Sequence, residues 1–69
     1  VNNKEEVLAI CSEFTEEYGF NIEEEDTLVV YIKSEYLNEL RRMLEKQNYK
    51  IHSYQVYGDE MLAYFIPNN

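Results

Sequence analysis

Tyr49-Lys50-Ile51-His52-Ser53-Tyr54-Gln55-Val56-Tyr57-Gly58-Asp59-Glu60-Met61-Leu62-Ala63-Tyr64-Phe65-Ile66 is the stretch whose reading decides the fold. Gly58-Asp59 divides it, and Gly in the first central position suits a two-residue type II′ hairpin turn. Counting outward from that turn pairs Tyr57 with Glu60, Val56 with Met61, Tyr54 with Ala63 and His52 with Phe65. One hairpin face then holds His52, Tyr54, Val56, Met61, Ala63 and Phe65; the other holds Ile51, Ser53, Gln55, Tyr57, Glu60, Leu62, Tyr64 and Ile66. Met61 to Ile66 is apolar at every position, as expected of a strand with neighbours on both sides. Lys50 to Tyr57 alternates and has the polar content of an edge, so the last strand is expected in the middle of the sheet.

Upstream, Thr27 to Lys33 is β-branched, aromatic and apolar on both parities, which predicts a strand covered on part of each face. Ser34 is positioned to cap a helix over Glu35 to Gln47 that buries Leu37, Leu40 and Leu44 beside Tyr36 and Met43, with Asn48 as its terminator. From Lys4 to Tyr18, Val7, Ile10, Cys11, Phe14 and Tyr18 recur at helical steps. Asn3 and Glu6 resemble a capping box at its start, and Gly19 suits a left-handed stop at its end. Phe20 to Asp26 reads as a loop with an exposed anionic end.

The order α-β-α-β-β predicts an α+β fold, a single small domain over residues 1–69. Its sheet is expected to be three-stranded and mixed, in the order 1-3-2, with the first and second strands parallel and joined by a right-handed helical crossover, and both helices on one face. At this length only about 60% of the unfolded chain's surface is buried on folding, which makes oligomerisation a natural means of support.

The charge is distributed unevenly. Residues 1–26 carry nine acids against Lys4 alone, whereas residues 27–69 balance five acids with five bases, so the net −8 lies in the first part of the chain. An acidic chain of pI near 4.4 is a poor direct ligand for nucleic acid or anionic membrane, because those are held by Lys and Arg; its natural partner is a basic surface. A single cysteine, no charged-then-apolar leader and no long apolar run predict a cytoplasmic protein.

Nucleophilic catalysis finds little material: His52 is the only histidine, and Cys11 falls on the apolar helix face. The acids sit on outward faces or in a polar loop, where nothing raises a carboxyl pKa toward general-acid use. Glu23-Glu24-Glu25-Asp26 lacks the glycine and distal glutamate of a calcium loop. Asp26-Thr27-Leu28 is similar over three residues to the Asp-Ser-Leu of acyl carrier proteins, but Thr27 replaces the attachment serine and Val29 to Ile32 reads as strand, which excludes that family. No enzymatic activity, cofactor or metal is expected.

Two features remain. Five acids between Glu5 and Glu17 would span roughly 18 Å of helix, a charge spacing near that of a single nucleic-acid strand. Glu16 and Glu17 would also occupy a last helical turn, where the macrodipole disfavours negative charge. Glu13, Glu16, Glu17, Glu23, Glu24, Glu25 and Asp26 are therefore the expected partner-binding residues of a small interaction module, an inhibitor or decoy for a basic, nucleic-acid-binding protein surface. By size and charge alone this resembles anti-CRISPR or restriction-inhibitor proteins. The second feature is tyrosine: Tyr31, Tyr57 and Tyr64, with Val29 and Leu62, are expected on the open sheet face, where Tyr31, Tyr57, Leu62 and Tyr64 form a candidate dimer or partner face, the alternative being a structural or regulatory homodimer.

Overall fold

The computed structural model describes residues 3–68, a small α+β domain with the order α1 (Lys4–Ser12), β1 (Glu17–Phe20), β2 (Leu28–Lys33), a 3-10 turn (Ser34–Tyr36), α2 (Leu37–Glu45), β3 (Tyr49–Tyr57) and β4 (Glu60–Pro67). The strands form one sheet in the order β1-β2-β4-β3, with every neighbouring pair antiparallel. The expected three-stranded mixed sheet is thus corrected to a four-stranded antiparallel one. β4 lies between β2 and β3, and the added strand, β1, pairs with the outer side of β2.

That strand is made from the end of the expected helix (Glu17 and Tyr18), its expected stop Gly19 and the first residue of the expected loop, Phe20. α1 buries Val7, Ile10 and Cys11 and then stops at Ser12, six residues short of Tyr18. Amides of Glu13, Phe14 and Thr15 still bond back to Ile10 and Cys11, but the Thr15 hydroxyl donates to the Tyr31 carbonyl at 2.7 Å and accepts the Glu17 amide at 3.1 Å. The backbone is thereby delivered to the edge of β2, where Tyr18 and Phe20 alternate in register with Val30 and Leu28. Gly19 lies inside β1 without a positive φ, so it is no helix stop. Asn3 likewise makes no capping bond. Its Nδ2 donates to the Gln47 carbonyl at 2.8 Å and to Gln47 Oε1 at 3.1 Å, fastening the start of α1 to the corner between α2 and β3.

The core lies between the helices and one sheet face. Leu28, Val30 and Ile32 from β2, Met61, Ala63 and Phe65 from β4, and Tyr49 from β3 meet Val7, Ile10, Cys11, Leu40 and Leu44. β4 shows why its sequence is apolar throughout: alternate residues are fully buried under the helices, and those between them are half-buried on the other face. Asn48 ends the α2 segment at φ 65°, and Gly58 opens the β3–β4 turn at φ 66° with Asp59 outside the positive-φ region, as a type II′ turn requires. Ser34 begins the 3-10 turn without a side-chain cap.

The hairpin register holds from Tyr57–Glu60 to Tyr54–Ala63 and changes at a bulge between Ile51 and Ser53. Ile51, not His52, pairs with Phe65; Ile51 is packed against the core, and His52 is exposed. A bulge inserts one residue and reverses which side chain faces inward beyond it. It corrects the expected faces at these two positions.

Candidate protein-interaction site

The seven acids singled out in the sequence are all exposed, but they do not form one ladder. Because α1 ends at Ser12, Glu13, Glu16 and Glu17 lie beyond the helix, and the expected continuous anionic rod with its unfavourable last turn does not exist. Glu17 starts β1, while Glu23 to Asp26 lie in the connection after it, so the two groups flank opposite ends of β1, about 13 Å apart along a strand of four residues.

The second group sits on an ordered loop. Asn21 Oδ1 accepts the amides of Glu23 (2.8 Å) and Glu24 (3.2 Å), an Asx-type turn that fixes the start of the acidic run. The Thr27 amide donates to the Glu24 carbonyl, the Asn21 amide to the Thr27 carbonyl (both 2.8 Å), and the Thr27 hydroxyl to Glu24 Oε2 at 3.3 Å. Ile22, just before the acidic run, is 94% exposed.

Lys4 reaches this loop from α1. Its Nζ donates to the Glu25 carbonyl at 2.9 Å, lies 3.6 Å from Asp26 Oδ1 and sits 4.8 Å from the centroid of the Phe20 ring. Among the described residues Asp26 is the only one of the seven acids with a basic partner; the other ion pair, Arg41–Glu45, is on α2. Among the described residues no basic group lies within ion-pair distance of the carboxylates of Glu13, Glu16, Glu17, Glu23, Glu24 and Glu25.

Between the two acidic groups lies the sheet face that the helices leave open. Val29 and Tyr31 on β2 stand opposite Tyr64 and Leu62 on β4, and Tyr57 on β3 stands opposite Glu60. The Tyr31 and Tyr57 rings lie 6.4 Å apart at 42°. The Tyr31 hydroxyl donates to Glu60 Oε1 at 3.1 Å and the Tyr57 hydroxyl to Gln55 Oε1 at 2.6 Å. Donation to Glu60 holds the Tyr31 phenol above its ordinary pKa, helped by desolvation and by the charges of Glu60 and Glu17.

A shallow groove of about 320 Å3 runs over this face, lined by Glu17, Tyr18, Gly19, Phe20, Val29, Tyr31 and Leu62. Gly19 has open space where a side chain would stand, which leaves the groove unobstructed over β1. Of the groove's lining, Tyr18, Gly19 and Phe20 were not among the expected site residues; their alternation was the signal that could have placed them on a strand.

Among the described residues no three His, Cys, Asp or Glu side chains converge to hold a metal, and no helix is long and apolar enough to cross a membrane. Cys11 is fully buried, and desolvation pushes its thiol up to about 12, far from nucleophilic use at neutral pH. No family model, curated protein sequence or solved structure matches the chain.

Proposed function

We propose that this chain is a non-enzymatic interaction module that engages a basic surface of a partner protein through Glu13, Glu16, Glu17, Glu23, Glu24, Glu25 and Asp26. The observation that supports it is the exposure of these acids around the β1–β2 hairpin, six of them without a basic partner among the described residues. Unpaired surface carboxylates produce a field that steers a cationic partner and raises its association rate. Nucleic-acid-handling enzymes present such basic surfaces, so the module acts as an inhibitor or decoy for that class. The split into two groups suits a partner whose cations are spaced to straddle β1, and excludes imitation of a continuous duplex.

The experiment is affinity purification from the source cell at low and high salt, with the native chain and with Glu16, Glu17, Glu24 and Glu25 changed to Gln. A basic partner that is retained at low salt, released at high salt and lost with the variant supports the reading. Salt-independent capture that ignores the four substitutions overturns it.

A second reading is favoured by the half-buried aromatic groove. In it Tyr31, Tyr57, Leu62 and Tyr64 associate with the same face of another copy, and the acids serve solubility. Changing Tyr31 and Tyr64 to Ser would then dissociate a dimer that the acid-to-Gln variant leaves intact.

A further inference from the structure

β1 is a margin of the sheet, with β2 on one side and no strand on the other. Its hydrogen bonding follows from the bond just past it: the Asn21 amide donates to the Thr27 carbonyl, and these two residues continue the register that pairs Gly19 with Val29 and Glu17 with Tyr31. Bonded and non-bonded pairs alternate in an antiparallel ladder, so Glu17 and Gly19 turn their backbone groups toward β2, while Tyr18 and Phe20 turn theirs outward. Among the described residues no turn, loop or side chain bonds those outward groups. All four residues of β1 line the groove over the open face, and Gly19 leaves space above it.

The charge around this margin is of one sign. Residues 5–32 hold nine acids and no Lys, Arg or His. Glu13 and Glu16 precede β1, Glu17 lies at its first position, and Glu23 stands in the exposed connection after it. The bases flanking that stretch lie outside ion-pair distance of these four acids among the described residues: Lys4 is engaged with the Glu25 carbonyl and Asp26, and Lys33 stands in register with Glu60 on β4. Hydrogen bonding to Glu60, desolvation and the charges of Glu60 and Glu17 raise the Tyr31 phenol, which marks a negative field at the Glu17 end of the groove. A short strand with acids at both ends is guarded against acidic segments, a second copy of this chain included. It stays open to a segment of the opposite charge.

We infer that an extended basic segment of the partner adds to β1 as a fifth, antiparallel strand, bonding the outward backbone of Tyr18 and Phe20, with an apolar side chain over Gly19 and a Lys or Arg beside Glu17. The pairing rests on the reading that the acids engage a basic partner. Residues directly opposite one another in a ladder share a face, so the segment's residues opposite Gly19 and Glu17 project over the groove with Val29 and Tyr31. Above Gly19 such a side chain enters open space in a groove lined by Val29 and Leu62, which suits an apolar group. Beside Glu17 it meets a carboxylate and the Tyr31 ring, which suit a cation. In the segment's own direction the pattern is apolar, any residue, basic.

The probe is a short synthetic peptide centred on Val-Thr-Arg, titrated into the native chain at low and high salt while backbone amides are followed by NMR and hydrogen exchange. It is expected to bind at low salt, to weaken as salt rises, and to slow exchange of the Tyr18 and Phe20 amides. The counterpart with Glu for Arg is expected not to bind. N-methylation of the central Thr, which faces Tyr18, is expected to weaken binding roughly tenfold. Tyr18→Pro is expected to do the same, because Pro is tolerated where an edge N–H points outward. Circular dichroism confirms that this variant is folded, and the N-methylated peptide makes the same test on the native chain. Binding that leaves Tyr18 and Phe20 unprotected and ignores N-methylation overturns the strand addition while the acidic surface keeps its role. Binding that ignores both salt and the change of Glu16, Glu17, Glu24 and Glu25 to Gln overturns that role as well. Absence of binding overturns the strand addition alone, since the affinity purification decides the role of the acids separately.

Discussion

The Thr15 hydroxyl donates to the Tyr31 carbonyl at 2.7 Å, tying the residue where helical geometry ends to the strand that the chain then joins. The same oxygen accepts the Glu17 amide at 3.1 Å, so one side chain both closes the α1 segment and starts β1. Thr15→Val preserves shape and removes both bonds, and it should destabilise the protein by about 1–2 kcal/mol. Thr15→Ser should recover most of that loss. Urea unfolding of the two variants checks the difference.

Asn48 and Gly58 both occupy left-handed backbone conformations, at φ 65° and 66°. Asn48→Gly should leave stability unchanged or raise it by a few tenths of a kcal/mol, whereas Asn48→Ala should cost about 1 kcal/mol. Gly58→Ala should cost about 1–2 kcal/mol from the backbone alone, because the space around Gly58 is open. Thermal unfolding midpoints would rank the three.

Phe65 is fully buried on β4, opposite Leu28 on one side and Ile51 on the other. Removing its ring leaves a cavity costing about 3–5 kcal/mol, comparable to the whole stability of a domain this small. Phe65→Ala should therefore be largely unfolded at 25 °C by circular dichroism, and Phe65→Leu should remain folded with a lower midpoint.

Alkaline pH should destabilise the fold. The Cys11 thiol rises from 9.0 to about 12 through burial, and the phenols of Tyr31 and Tyr49 are also raised. Groups whose folded pKa lies above the unfolded value contribute stability that is complete below the unfolded pKa and lost as pH climbs toward the folded one. Unfolding free energy should thus decline from about pH 9 upward, and Cys11→Ala should flatten the decline between pH 9 and about 12. Thiol-specific reagents should label native Cys11 only at the rate of local opening.

The β3–β4 hairpin was legible because Gly58, the alternation of Lys50 to Tyr57 and the unbroken apolar run of Met61 to Ile66 all point to one arrangement. The bulge at His52 was not, since nothing in the local residue types marks which position is extra. α1 was overextended because Phe14 and Tyr18 continue its apolar spacing, yet Phe14 packs 6.2 Å from the Tyr36 ring and Tyr18 belongs to a strand. The acids at Glu16 and Glu17 were the overlooked signal. They looked unfavourable in a last helical turn because no helical turn is there, and a macrodipole penalty is evidence about a boundary before it is evidence about function. The acidic site was visible as composition, but its division by β1 depended on that boundary.

Nine of the fourteen carboxylates fall within residues 1–26 and none between Lys46 and Tyr57, which gives the molecule a lasting electrical polarity. In the field of a positively charged body this polarity exerts a torque, turning the β1 margin forward while the two are still separated by water. Rotational search is thereby shortened, and first collisions occur preferentially through the hairpin end of the fold.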